Sequence, residues 1–141
     1  MIYVKDIMAR NVRTISSSSN IVDAAKAMAK WEIGALVITA GSTPVGIITE
    51  GDVSRCVAEG ANLKRTLRGF GKKLISVGPG ERVEVAAKKM ADGEVKKLPV
   101  MEEGKLVGII TQTDIVNSSF ALVTSLKEMV QARYRPPDFE M

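Results

Sequence analysis

Two pairs of side chains in this 141-residue chain could do chemistry, and they share one spacing: Thr49-x-x-Asp52 and Thr111-x-x-Asp114. Each follows a run of largely β-branched residues, Val45-Gly46-Ile47-Ile48 and Val107-Gly108-Ile109-Ile110, so each joins a strand end to a helix start. A helix start offers unpaired amides and the positive end of the helix dipole to a phosphate. A Thr hydroxyl can bond ribose or phosphate, and a carboxylate can accept both ribose hydroxyls. Gly46 and Gly108, having no side chain, would let a flat base approach the backbone. Read this way, each pair belongs to a nucleoside phosphate site. The same spacing also describes a capping box, with Thr as N-cap and the acid three residues on, and then both pairs only start helices. Residue types alone leave both readings open.

The elements that position these pairs occur twice. Val45 to Asp52 matches Val107 to Asp114 at an offset of 107 − 45 = 62, and the register holds upstream without a gap. Ala24-Ala25-Lys26 answers Ala86-Ala87-Lys88, Met28-Ala29 answers Met90-Ala91, and Leu36 answers Leu98. This is an internal duplication. In each copy a short extended stretch, Thr14-Ile15 or Ser76-Val77, precedes a helix. The first helix carries Ile21, Ala24, Ala25, Met28 and Ala29 on one face, and the second carries Val83, Ala86, Ala87, Met90 and Ala91. Asn20 is placed to cap the first of these helices and Gly34 to end it. Two strands follow in each copy, Ala35–Thr39 then Val45–Thr49, and Leu98–Met101 then Leu106–Thr111, before Asp52 or Asp114 opens the closing helix. The expected class is therefore α/β (α+β), each copy β-α-β-β-α, with a separate C-terminal helix. Along the chain this divides into repeat 1 at 1–60, a basic connection at 61–73, repeat 2 at 74–118, and a C-terminal helix and tail at 119–141. A lone repeat of about 60 residues would be marginal on surface-to-volume grounds, so the two should pack as one module.

Composition narrows the chemistry. There is no His and one Cys, Cys56, which removes an internal disulfide and the usual His-based metal and acid–base arrangements. No nucleophile, base and oxyanion donor can be assigned together, so the chain reads as no enzyme, with no required cofactor. Aromatics are only 4%, so Ile, Val, Leu, Ala and Met must fill the interior. No apolar run approaches the roughly 20 residues of a membrane span, and a cytoplasmic location without membrane association is expected. The net charge of +4 favours anionic partners.

Val4-x-Asp6-Ile7-Met8, the Ala-Ala-x-x-Met helices, and the strand-Gly-strand-Thr-x-x-Asp units resemble the cystathionine beta-synthase (CBS) domain. Two in tandem resemble a Bateman module from Val4 to about Ser118. The second copy departs from the pattern at its front edge, where Thr66-x-Arg68-Gly69-Phe70 stands at the fixed offset. The resemblance implies an adenosine ligand between the repeats, with Asp52 and Asp114 holding ribose and Thr49 and Thr111 holding ribose or phosphate. Thr14-Ile15 or Ser76-Val77 would line the base pocket, with Ala35-Leu36 and Lys97-Leu98 as its other wall. It further implies a regulatory module that binds AMP or ATP, pairs into a homodimer and signals to a separate effector protein.

For a phosphate, Arg55 stands one turn beyond Asp52, while its counterpart is Asn117; Lys96 and Lys97 occur only in the second copy, and Arg10, Arg13, Lys72 and Lys73 precede the extended stretches. The fuller family match of Lys96, Lys97 and Leu98-Pro99-Val100 points to the second copy as the working site. S-adenosylmethionine is the alternative ligand, since it needs less positive charge than a phosphate. Nucleic acid is the alternative partner, prompted by Lys64-Arg65-Thr66-Leu67-Arg68, but aromatic residues for base stacking are scarce. Beyond the repeats, Leu122, Val123, Leu126, Met129 and Val130 make a helical apolar stripe that should pack on the module or on a second subunit, with Pro136-Pro137 stopping regular structure.

Overall fold

In the computed structural model, residues 1–70 and 74–133 are described, apart from the side chains of 121 and 122. Lys72, Lys73, the Leu122 side chain and Pro136-Pro137 lie outside the described residues. In chain order the elements are α1 (Val4–Ile7), β1 (Thr14–Ser16), α2 (Ile21–Trp31), β2 (Ala35–Ala40), β3 (Thr43–Thr49) and α3 (Glu50–Ala58), then α4 (Val83–Gly93), β4 (Lys97–Glu102), β5 (Lys105–Thr111) and α5 (Gln112–Arg133). The α/β class with two tandem repeats holds.

The duplication persists down to irregularities. β1 runs parallel to β2 with Ile15 beside Ile38, and at the same repeat position Val77 makes a parallel bridge to Val100. β2 and β3 are antiparallel with a register shift between Ile38 and Thr39, and β4 and β5 repeat it between Val100 and Met101. At the first shift Pro44 lies beside Thr39, a place that tolerates a residue with no N–H to donate to the ladder. Asn20 caps α2 as expected, accepting from Asp23 N–H at 2.8 Å. The helix does not end on Gly34. It ends on Glu32 in the left-handed conformation, φ 52°, and α4 ends likewise on Glu94, φ 53°. Ile33 N–H then bonds back to Met28 C=O and Val95 N–H to Met90 C=O, which satisfies late carbonyls of each helix and offsets the strain of a non-glycine there.

Each repeat has its own core. One holds Ile21, Ala24, Met28, Leu36, Ile38, Ile48 and Leu67; the other holds Ala86, Met90, Leu98, Val100, Ile110, Val77, Val4 and Met8. The apolar helix faces are narrower than the periodicity suggests: Ile21, Ala24 and Met28 are buried, as are Val83, Ala86 and Met90, while Ala29 and Ala91 are exposed.

The front segments are exchanged. Residues 2–9 of the first copy pack on the second core: Val4 N–H bonds Glu81 C=O, Val83 N–H bonds Ile2 C=O, and Ala9 pairs with Ile109. Reciprocally, Leu67 N–H bonds Ser19 C=O, Val22 N–H bonds Leu63 C=O, and Asn20 bridges to Thr66. Ser19 and Glu81 are 62 apart, but their partners Leu67 and Val4 are 63 apart. The residue answering Val4 is therefore Leu67, 1% exposed, and not Thr66. A one-residue slip explains the departure of the second copy at its front edge. It also means that chain order and packing divide the molecule differently, since each core is completed by a segment preceding the other repeat.

The closing helix and the C-terminal helix are one: α5 runs unbroken for 22 residues, about 33 Å at 1.5 Å per residue. Val116, Phe120, Val123, Leu126, Met129 and Val130 are exposed along it. Among the described residues no helix is long and apolar enough to cross a membrane.

Candidate functional site

Both Thr-x-x-Asp pairs form the reciprocal bonds of a capping box. Thr49 N–H donates to Asp52 Oδ2 at 2.8 Å and Asp52 N–H donates to Thr49 Oγ1 at 3.2 Å. Thr111 N–H donates to Asp114 Oδ2 at 2.9 Å and Asp114 N–H to Thr111 Oγ1 at 3.1 Å. The capping reading is thus correct as geometry, yet it consumes only one oxygen of each carboxylate. Oδ1 is left over in both, and both carboxylates are half-buried at a strand end. A cap and a hydroxyl acceptor are compatible roles for one aspartate.

The two ends differ in what surrounds that second oxygen. Arg55 Nη1 donates to Asp52 Oδ1 at 3.2 Å, and Thr49 Oγ1 adds a bond to Asp52 Oδ2 at 3.0 Å. The guanidinium folds back over the first turn of α3: a β-carbon on Gly51 would lie 3.9 Å from Arg55 Nη2. Among the described residues, Asp114 Oδ1 accepts no side-chain hydrogen bond, and Thr113 and Asn117 stand where Gly51 and Arg55 stand in the first copy. Among the described residues Lys97 makes no ion pair with Asp114; its Nζ lies at the first repeat, 3.2 Å from where a β-carbon of Gly34 would sit. Other cations are committed elsewhere: Arg13 stacks 3.6 Å from the Trp31 ring centre, Arg10 donates to Lys5 C=O, and Lys89 donates to Ser76 C=O at 2.9 Å.

With this geometry in place, comparison with known proteins becomes informative. The sequence model described as "CBS domain" matches residues 4–59 and 70–120, most of the chain. The chain belongs to the CBS domain family. Its fold is that of a CBS domain pair, similar to the CBS domain pair of protein MJ0100 solved with 5′-methylthioadenosine and S-adenosyl-L-methionine, TM-score 0.77 and 30% identity over 86% of this chain and 98% of that one. A CBS domain protein of Pyrobaculum aerophilum, solved with AMP, matches with TM-score 0.74 and 27% identity over 80% of this chain and 89% of that one. A homoserine O-acetyltransferase of Methanohalobium evestigatum is 33% identical over 80% of this chain, but the matched part is only 23% of that protein's length.

Within the CBS pair, the strand register sorts the remaining residues. Ala35 pairs with Thr49 and Thr14 with Val37, so Thr14, Ala35, Leu36, Thr49, Asp52 and Arg55 share one end of the first sheet. Lys97 pairs with Thr111, and Val77 N–H bonds Pro99 C=O, which brings Ser76, Val77, Lys97, Leu98, Thr111 and Asp114 together in the second. Leu36, Val77 and Leu98 are buried core residues and Ile15 is packed against the core. What those four can offer a ligand is backbone. Thr14 is exposed and also lines a cavity of about 470 Å³ between the two hairpin turns, with Arg10, Ser42 and Lys105.

Gly108 does not leave room for a base. A β-carbon there would lie 2.7 Å from Met8 Sδ and 2.8 Å from Ala9 C=O, so the exchanged N-terminal segment fills that space. The glycine serves packing. Glu50 is the residue that sequence reasoning missed: its carboxylate and Lys97 Nζ both lie within 4 Å of where a β-carbon of Gly34 would sit, and its counterpart is the uncharged Gln112. That charge difference at the fixed offset was the available signal.

Proposed function

We propose that this CBS domain pair is a cytoplasmic regulatory module, without catalysis of its own, that binds an adenine nucleotide (AMP or ATP) at the Thr-x-x-Asp ends and passes its state to a separate effector protein. The observation that carries the reading is that the helix cap spends only Oδ2 of each aspartate: Oδ1 is open at Asp114 among the described residues and held at Asp52 by the exposed Arg55, in a fold whose solved neighbours hold adenosine ligands. Thr49 and Thr111 fix the carboxylates, backbone at Thr14-Ile15, Ala35-Leu36, Ser76-Val77 and Lys97-Leu98 lines the base, and Arg55 answers a phosphate. Arg55 favours a phosphorylated ligand over S-adenosylmethionine. Titration calorimetry with AMP, ATP and S-adenosylmethionine tests this: micromolar nucleotide binding at the altered end should fall by an order of magnitude or more in Asp52→Ala or Asp114→Ala with the fold intact by circular dichroism. No binding of any adenosine compound would sink the reading.

The same proposal includes a homodimer. Six apolar side chains on α5 are 49–73% exposed in one chain, a face of a size that association would bury. Sedimentation equilibrium should return twice 15.2 kDa; a mass of one chain would remove the dimer.

A further inference from the structure

We infer that the two ends of this CBS pair take different classes of adenosine ligand, and that Arg55 makes the difference: the Asp52 end selects phosphorylated ligands, and the Asp114 end takes adenosine derivatives without regard to phosphate. The inference rests on the adenosine reading above and assigns each end its ligand class.

At Asp52 both carboxylate oxygens are engaged, Oδ2 by Thr49 and Oδ1 by Arg55. A ribose hydroxyl that bonds Oδ1 must displace the guanidinium. Arg55 is 63% exposed, so the pair itself is easily opened, but the guanidinium then needs a new anion or it competes for the old one. A ligand phosphate supplies that anion. The guanidinium already lies over the first turn of α3, the positive end of the helix dipole, and Gly51 has no side chain to obstruct it. An uncharged adenosine derivative supplies none, so it captures Asp52 only against Arg55. The exchange of partners is balanced for a phosphate and unbalanced without one.

At Asp114 the second oxygen is open among the described residues and Asn117 replaces the arginine. Lys97, the cation expected to serve this end, has its Nζ at Gly34 of the first repeat and makes no ion pair with Asp114 among the described residues. Ribose capture there displaces nothing, and phosphate gains no cation. Solved neighbours hold both AMP and the phosphate-free pair 5′-methylthioadenosine and S-adenosylmethionine, so the fold by itself does not choose.

The test is calorimetric titration with AMP and with 5′-methylthioadenosine, one end silenced at a time. In Asp114→Ala, AMP should bind about tenfold tighter than methylthioadenosine, the worth of one charge-assisted bond. Adding Arg55→Gln should move the two ligands in opposite directions, AMP weaker by about tenfold and methylthioadenosine tighter by a few-fold as Oδ1 is released. In Asp52→Ala the two ligands should bind within about threefold of each other, and adding Asn117→Arg should install the AMP preference. Binding that Arg55→Gln weakens equally for both ligands, or leaves at the same ratio, overturns the selectivity while preserving the adenosine site. Absence of binding of either compound to the unmodified chain overturns the site itself and this inference with it.

Discussion

Where the two repeats pack they keep the same or a closely similar residue at the same register, Ala24 with Ala86, Met28 with Met90, Leu36 with Leu98, Ile48 with Ile110 and Ile38 with Val100, and they differ in chemical type at the strand and helix ends, Ala35 with Lys97, Glu50 with Gln112, Gly51 with Thr113 and Arg55 with Asn117. Close-packed interiors feel the change of a single methylene, so a duplicated core changes little. A helix N-terminus at the surface has no such constraint, and the residue that reaches the spare carboxylate oxygen at the first end, Arg55, is an asparagine at the second. The aspartates are alike; their electrostatic settings are not. One end of a duplicated scaffold has a cation on its spare oxygen and the other has none among the described residues, while both caps are kept.

The exchanged front segments offer the largest effect by which to break this comparison. Leu67 occupies in the first core the place that Val4 occupies in the second, and Leu67→Ala should cost about 2–5 kcal/mol as a cavity in a packed core. Thr66, its exposed neighbour at the fixed offset, should change stability by less than about 0.5 kcal/mol when replaced by Ala. Urea unfolding of both variants checks the slip. Equal losses, or a larger loss at Thr66, would restore the 62-residue register at the front edge and remove the exchange as drawn.

Most of the module was legible because periodicity reports burial. Ile21, Ala24 and Met28 recur at helical spacing, the strand runs are β-branched, and duplication confirmed each element against its copy. The slip at Leu67 was hidden by the very register that revealed the repeats. Nothing local says which core a front segment will fill, because Val4-x-x-Ile7-Met8 is an apolar edge that either repeat could accept. The end of the first repeat helix, expected at Gly34, falls at Glu32 because Glu32, like Glu94 in the second copy, takes a conformation that favours glycine, held there by Ile33 and Val95 bonding back to the preceding turn. The break expected near residue 119 rested on the end of the repeat, but Ser118-Ser119 contains no Gly or Pro to stop α5. At the site, Thr, Asp and the one-turn spacing of Arg55 from Asp52 were readable from sequence, whereas the destinations of Arg13 and Lys97 depend on tertiary neighbours such as Trp31 and Gly34 that no spacing encodes.

Two glycines sharpen the contrast between packing and the outward seam, with smaller effects. Gly108 faces backbone: its missing β-carbon is replaced by Ala9 C=O and the Met8 side chain, neither of which can retreat without lifting residues 2–9 off the second core. Gly108→Ala should therefore cost about 1–3 kcal/mol by overpacking, and amide exchange at Val4 and Ala9 should accelerate with it. Gly34 faces the far end of a lysine: Lys97 Nζ at 3.2 Å can swing into solvent, and Gly34 has no positive φ to defend. Gly34→Ala should change stability by no more than about 0.5 kcal/mol, because a flexible side chain absorbs the added methyl where a paired backbone cannot. If urea unfolding instead shows Gly34→Ala as costly as Gly108→Ala, Lys97 is held at the seam as rigidly as a core residue. Its charge would then be fixed at Gly34, and the lack of a cation at Asp114 Oδ1 among the described residues would be a permanent feature of the fold and not a resting position of one lysine.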